Sequence, residues 1–150
     1  MDELRFIILS KLFMESFFYE EPYIVISICE PGEEPPNLKT DSNRKDVLRV
    51  EIHDIDDVKF AEEYGYKTLD ENQAKSVLEF AEKWKDKLNI LVIHCSAGVC
   101  RSAGMAAALS RVYNGHSRGI IDNPRYKPST HIQATIVKVA ERMKLGYYKD

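Results

Sequence analysis

The sequence predicts an α/β fold: one domain over residues 1–150, built as a three-layer sandwich with a mostly parallel central sheet of about four or five strands flanked by helices. Three observations predict it. Apolar β-branched runs alternate with stretches of helical period, the pattern of layered α/β chains. The runs Tyr23–Ile28 and Ile90–Ile93 are nearly continuous in apolar residues, as strands buried on both faces are. The 150 residues, 44% hydrophobic and 30% charged, suit a single core in an ordinary globular domain.

The elements follow in order. Phe6–Leu9 reads as a short apolar strand and Lys11–Phe17 as a weak helix. After the strand Tyr23–Ile28, the stretch Glu30 to Asp46 contains Pro31-Gly32 and Pro35-Pro36 and reads as a surface loop. Val47–Ile52 alternates, with Leu48, Val50 and Ile52 on one side and Arg49 and Glu51 on the other. A capping box at Thr68-Leu69-Asp70-Glu71 opens a helix whose apolar stripe is Ala74, Val77, Leu78, Ala81 and Leu88. Ile90–Ile93 is the most apolar strand. An alanine-rich helix runs from about Ser102 to Tyr113 and stops at Asn114-Gly115. The last helix follows Pro128 with a second capping box, Thr130-His131-Ile132-Gln133.

Composition removes several function classes. The net charge of −3, with no basic stripe, is wrong for a grip on nucleic acid. Cys29, Cys95 and Cys100 are too few, and odd in number, for a disulfide framework. No run approaches ~18 apolar residues, and Phe6–Leu9 is too short for a signal core. The expectation is a soluble cytoplasmic protein with no membrane partner. His94, Cys95, Cys100, His116 and His131 fit no paired ligand spacing, so no metal and no cofactor are expected.

The chemistry lies just after the most apolar strand, in His94-Cys95-Ser96-Ala97-Gly98-Val99-Cys100-Arg101-Ser102. A strand, a tight turn and a helix start make an anion cradle. The first N–H groups of the helix lack internal partners, and the helix dipole adds positive charge there. The same field favours a thiolate at Cys95, a strong nucleophile. Arg101 supplies a planar fork that matches two phosphate oxygens. The Ser102 hydroxyl is positioned to donate toward the sulfur.

This loop resembles that of the cysteine-dependent protein tyrosine phosphatases, in particular the compact dual-specificity-sized members and small microbial and viral relatives. The resemblance rests on Cys95-X5-Arg101-Ser102 preceded by His94, and is strongest over about Val47–Tyr113. It implies the cysteine phosphatase fold and hydrolysis of phosphotyrosine, with phosphoserine and phosphothreonine as further substrates. It implies Cys95 as the nucleophile forming a phosphocysteine. Ser96, Ala97, Gly98, Val99, Cys100 and Arg101 would then hold the phosphate, with Ser102 assisting hydrolysis and His94 supporting the loop. The partner it implies is a phosphorylated protein or peptide.

The resemblance also calls for an aspartic acid after a neighbouring strand. His53-Asp54-Ile55-Asp56-Asp57 follows Val47–Ile52, and Asp54 matches the family position. Its spacing to Cys95 is longer than usual in the family, which keeps Asp57 as the alternative. Asp56 and Asp57 otherwise read as surface charges, and Cys29 as core. Cys100 precedes Arg101 as a second cysteine does in low-molecular-weight tyrosine phosphatases, which implies a candidate redox partner for Cys95. In some relatives a turn comparable to Pro128-Ser129 approaches the site.

Rival readings use the same loop. They are an arsenate reductase, a rhodanese-like sulfur transferase and a non-catalytic phosphate-binding module. Arsenate reductases of the low-molecular-weight type carry the loop near the N-terminus and the acid downstream. Sulfur transfer needs neither Asp54 nor Ser102, and a binding module has no use for the full set. The loop interior, Ser96 to Cys100, carries no basic side chain, which argues against inositol polyphosphates.

Overall fold

The computed structural model describes residues 3–148. Four strands form one sheet: β1 Arg5–Ser10, β2 Tyr23–Cys29, β3 Arg44–Glu51 and β4 Ile90–Cys95. Their order is β1-β4-β2-β3 and every pairing is parallel. The two inner strands are the two apolar runs, buried at every residue, because both of their faces are covered. The helices are α1 Lys11–Ser16, α2 Val58–Tyr64, α3 Glu71–Trp84, α4 Arg101–Asn114, α5 Arg118–Ile121 and α6 Thr130–Met143, with a 3₁₀ turn at Gly146–Tyr148.

Side-chain alternation along the strands sorts two cores. Ile24, Ile26 and Ile28 of β2, with Leu91, Ile93 and Cys95 of β4, pack under α3, α4 and α6. Tyr23, Val25, Ile90 and Val92 face the other way, onto Met14 of α1 with Phe17, Tyr19 and Leu38. The sandwich is therefore asymmetric. One layer is helical, and the other is a short helix completed by irregular chain.

Two expectations need correction, and one element was not foreseen. The helix α3 is capped by Asp70, not Thr68: the Asp70 side chain accepts from Gln73 N at 2.7 Å and Gln73 Oε1 accepts from Asp70 N at 3.1 Å. The cap of α6 is Ser129, not Thr130, with Ser129 Oγ accepting from Ile132 N at 3.2 Å. The residues after Asp57, to which the sequence pattern assigned no element, form α2.

All four strands end on the same side. Ser10 pairs with Cys95, and Cys29 with Glu51. In parallel sheets this carboxyl edge is where ligands bind, and here the segments 94–102 and 52–57 both emerge from it.

Candidate active site

The loop from Cys95 to Arg101 is held from outside by its carbonyls. Ser96 O accepts from Lys11 N at 3.2 Å, Val99 O from Lys127 N at 2.9 Å and Cys100 O from Ser129 N at 3.1 Å. With these carbonyls turned to neighbouring chain, the backbone N–H groups of Ala97 to Cys100 find no protein acceptor among the described residues. The start of α4 likewise has no side-chain cap. Such a ring of free donors at a helix N-terminus suits an anion. Gly98 makes the curve possible: its φ is +70°, and a Cβ there would sit 2.8 Å from backbone atoms of Leu9 and Ser10.

Cys95 is buried, and its Sγ lies 3.1 Å from Ser102 Oγ. Arg101 is only 3% exposed. Its Nη1 donates to Ile52 O at 2.9 Å and its Nη2 to Ser96 Oγ at 3.3 Å. The buried Nε has no partner among the described residues. One edge of the fork is thus fixed to the strand β3 exit, and Nε remains to meet a ligand.

His94 is fully buried below the loop. Arg49 Nη1 donates to Ser27 Oγ at 2.9 Å, and Ser27 Oγ in turn lies 2.6 Å from His94 Nε2. Burial pushes His94 down to about 4, and the Arg49 charge acts in the same direction. The imidazole is therefore neutral at neutral pH. The alternation of β3 puts Arg49 on the side opposite Leu48, Val50 and Ile52 and says nothing of Ser27, so this support was not legible. A serine in the otherwise apolar run of β2 was the available signal.

The three aspartates separate by their contacts. Asp57 caps α2, accepting from Phe60 N at 3.0 Å. Asp56 accepts from Thr130 N at 2.8 Å, Thr130 Oγ1 at 2.6 Å and His131 N at 3.2 Å, and also from the Ser129 hydroxyl. Neither is a plain surface charge. Asp54 is exposed and lies beside the Cys100 thiol.

Burial first, and then Asp54, push the Cys100 thiol up to about 12. It is a thiol at neutral pH, which works against its attack on an oxidised Cys95, because the thiolate is the attacking form. Cys29 is buried, as expected of a core residue.

Two residues near the loop were not singled out by sequence. Lys11 Nζ meets Glu33 Oε2 at 3.1 Å and Glu34 O at 2.6 Å, pinning the long loop beside the site. The Glu30 N–H first, then Lys11 and the Arg101 charge, hold the Glu33 carboxyl below the usual range against its burial. The Pro128-Ser129 turn does reach the loop, through the Ser129–Cys100 bond.

No protein-family model matches the chain, and no curated protein matches its sequence. Solved structures do match. One is a human tyrosine phosphatase-like serine/threonine/tyrosine-interacting protein, 15% identical, with a TM-score of 0.55 over 81% of this chain and 78% of that one. Another is PTPMT1 in complex with PI(5)P, 17% identical, with a TM-score of 0.53 over 82% of this chain and 78% of that one. Among the described residues no helix is long and apolar enough to cross a membrane. The chain has the cysteine phosphatase fold.

Proposed function

We propose that this chain is a cysteine-dependent phosphomonoester hydrolase acting on phosphotyrosine in a protein or peptide, with phosphoserine and phosphothreonine as further substrates. The observation that carries the reading is the buried Arg101 Nε, a donor without partner among the described residues, in the same loop as the Cys95–Ser102 pair. An unpaired buried N–H costs about 1–3 kcal/mol, which an oxyanion in the loop recovers.

The Cys95 thiolate attacks phosphorus, and the bond to the leaving oxygen breaks. Arg101 and the loop amides hold the equatorial oxygens, so charge in the transition state meets donors already in place. Asp54 gives its proton to the leaving oxygen. The Asp54 carboxylate then takes a proton from water, which attacks the phosphocysteine. The sulfur–phosphorus bond breaks, and Ser102 donates to the departing thiolate. Asp54 is favoured over Asp57 because Asp57 is engaged as a helix cap.

A reducing compartment such as the cytoplasm suits a free thiol nucleophile. A second reading, a lipid phosphate substrate, draws support from the PI(5)P complex of PTPMT1. The absence of basic side chains between Ser96 and Cys100 favours the phosphoprotein. Arsenate reduction is disfavoured by Cys100, whose half-buried thiol, pushed up to about 12, is a poor relay.

The test is hydrolysis of para-nitrophenyl phosphate by wild type, Cys95→Ser and Asp54→Ala across pH, followed by phosphopeptides and a soluble phosphoinositide. The reading expects turnover that Cys95→Ser abolishes, a decline toward high pH that Asp54→Ala removes, and preference for phosphotyrosine peptide. Turnover that survives Cys95→Ser overturns it.

A further inference from the structure

Asp54 sits between two anchors. Two residues before it, Ile52 O is held by Arg101 Nη1 at 2.9 Å. Two residues after it, Asp56 is held by four donors from Ser129, Thr130 and His131. Those donors belong to the turn whose Lys127 and Ser129 N–H groups bond Val99 O and Cys100 O at 2.9 and 3.1 Å. Both anchors therefore lead back to the phosphate loop. The turn also presses on α4, since a Cβ at Gly104 would lie 2.8 Å from Ser129 N. That close packing leaves the turn little freedom to carry Asp56 away from the loop.

The set of donors is more than a helix cap requires. Ser129 already caps α6 through its own side chain. Asp56 comes from a segment more than 70 residues distant and adds a carboxylate to a helix start that its own turn caps with a hydroxyl. Its four hydrogen bonds outweigh the burial that opposes its charge and keep the carboxyl below the usual range. A bond network of this kind fixes a loop in one place.

We propose that Asp56 is a positioning residue that fastens the Asp54 segment to the 127–131 turn and so holds the general acid over the phosphate loop before substrate arrives. The proposal rests on the phosphatase reading and adds a residue outside the Cys-X5-Arg loop to its machinery. Asp56 does not touch the phosphate; it acts through Asp54.

The test is a leaving-group series. Dinitrophenolate departs without a proton, whereas phenolate needs one, so a displaced acid is felt chiefly with the poorer leaving group. Asp56→Asn keeps size and one acceptor oxygen. Thr130→Val removes one donor from an exposed residue. With kcat measured on 2,4-dinitrophenyl phosphate and on phenyl phosphate, Asp56→Asn is expected to lose roughly ten-fold more on the phenyl ester. Its kcat–pH profile should lose part of the decline toward high pH. Thr130→Val should shift the same ratio less, and the double variant should shift it less than the product of the singles.

Equal losses on both esters, or an unchanged ratio, overturn the proposal. If Asp56→Asn fails to fold, Thr130→Val alone decides, and an unchanged ratio in it is again fatal. Wild type inert on 2,4-dinitrophenyl phosphate, or active without Cys95, is a different result: it defeats the phosphatase reading, and the role of Asp56 falls with it.

Discussion

Arg101 Nη1 donates to the carbonyl of Ile52 at 2.9 Å, joining the phosphate loop to the chain that leads into Asp54. One guanidinium thus has two duties. It fixes the exit of β3 through one nitrogen, and in the proposed reaction its Nε meets the phosphate. A lysine cannot do both, because an ammonium lacks the planar fork. Arg101→Lys is expected to lower kcat/KM on an aryl phosphate by ~10²–10³, the usual loss of a preorganised donor. It should also weaken competitive inhibition by vanadate. Retention of wild-type kcat/KM would show that the fork is not used.

Ser102 Oγ lies 3.1 Å from Cys95 Sγ, on the inner side of the loop. In the proposed reaction its effect belongs to the second chemical step, where sulfur departs. A hydrogen bond to a charged group contributes about 1.5–3 kcal/mol, so Ser102→Ala is expected to slow phosphocysteine hydrolysis by roughly 10- to 100-fold. Rapid-mixing kinetics should then show a burst of released phenol followed by a slow phase. A loss with no burst would place Ser102 in the first step instead.

His94 gives a pH signature. Burial holds it at about 4 against an ordinary value of 6.5. Between those values the unfolded chain binds a proton that the folded chain does not, so stability falls as pH drops through that window. The loss levels off below about 4 and amounts to about 3 kcal/mol. Urea midpoints measured from pH 7 to pH 4 for wild type and His94→Asn test this. The variant should be less stable at pH 7 yet show a shallower decline on acidification. Parallel declines would mean that His94 is not the buried neutral base described here.

The legible parts of the fold were those decided by local pattern. The β-branched runs of β2 and β4 and the alanine-rich α4 with its Gly115 stop are readable from a few neighbouring residues. The helix α2 was missed because its burial is slight: Ala61 is buried, while Phe60 and Tyr64 are exposed and meet each other at a tilt with centroids 4.5 Å apart. Its end signals were present, Asp57 as cap and Gly65 in the left-handed region with φ of 77°. The cap of α6 was displaced by one residue because the Thr130 hydroxyl is drawn to Asp56, a contact across 74 residues.

In the site, the Cys95–Ser102 motif was legible because a single turn holds it. The partners that support it were not. Ser27 reaches His94 across 67 residues and Arg101 reaches Ile52 across 49. The same limit governed the aspartates: Asp54, Asp56 and Asp57 differ little in sequence and are told apart by Ser129, Thr130 and the start of α2.

The central claim is that phosphate passes through the sulfur of Cys95. Ser102→Ala, in which the intermediate should accumulate, can be mixed with excess aryl phosphate, quenched rapidly in acid and mapped by peptide mass spectrometry. The account predicts a phosphate on Cys95, on the peptide that carries Ser96 to Arg101, and none in Cys95→Ser. Phosphate on another residue, or steady turnover with Cys95 never modified, would contradict it.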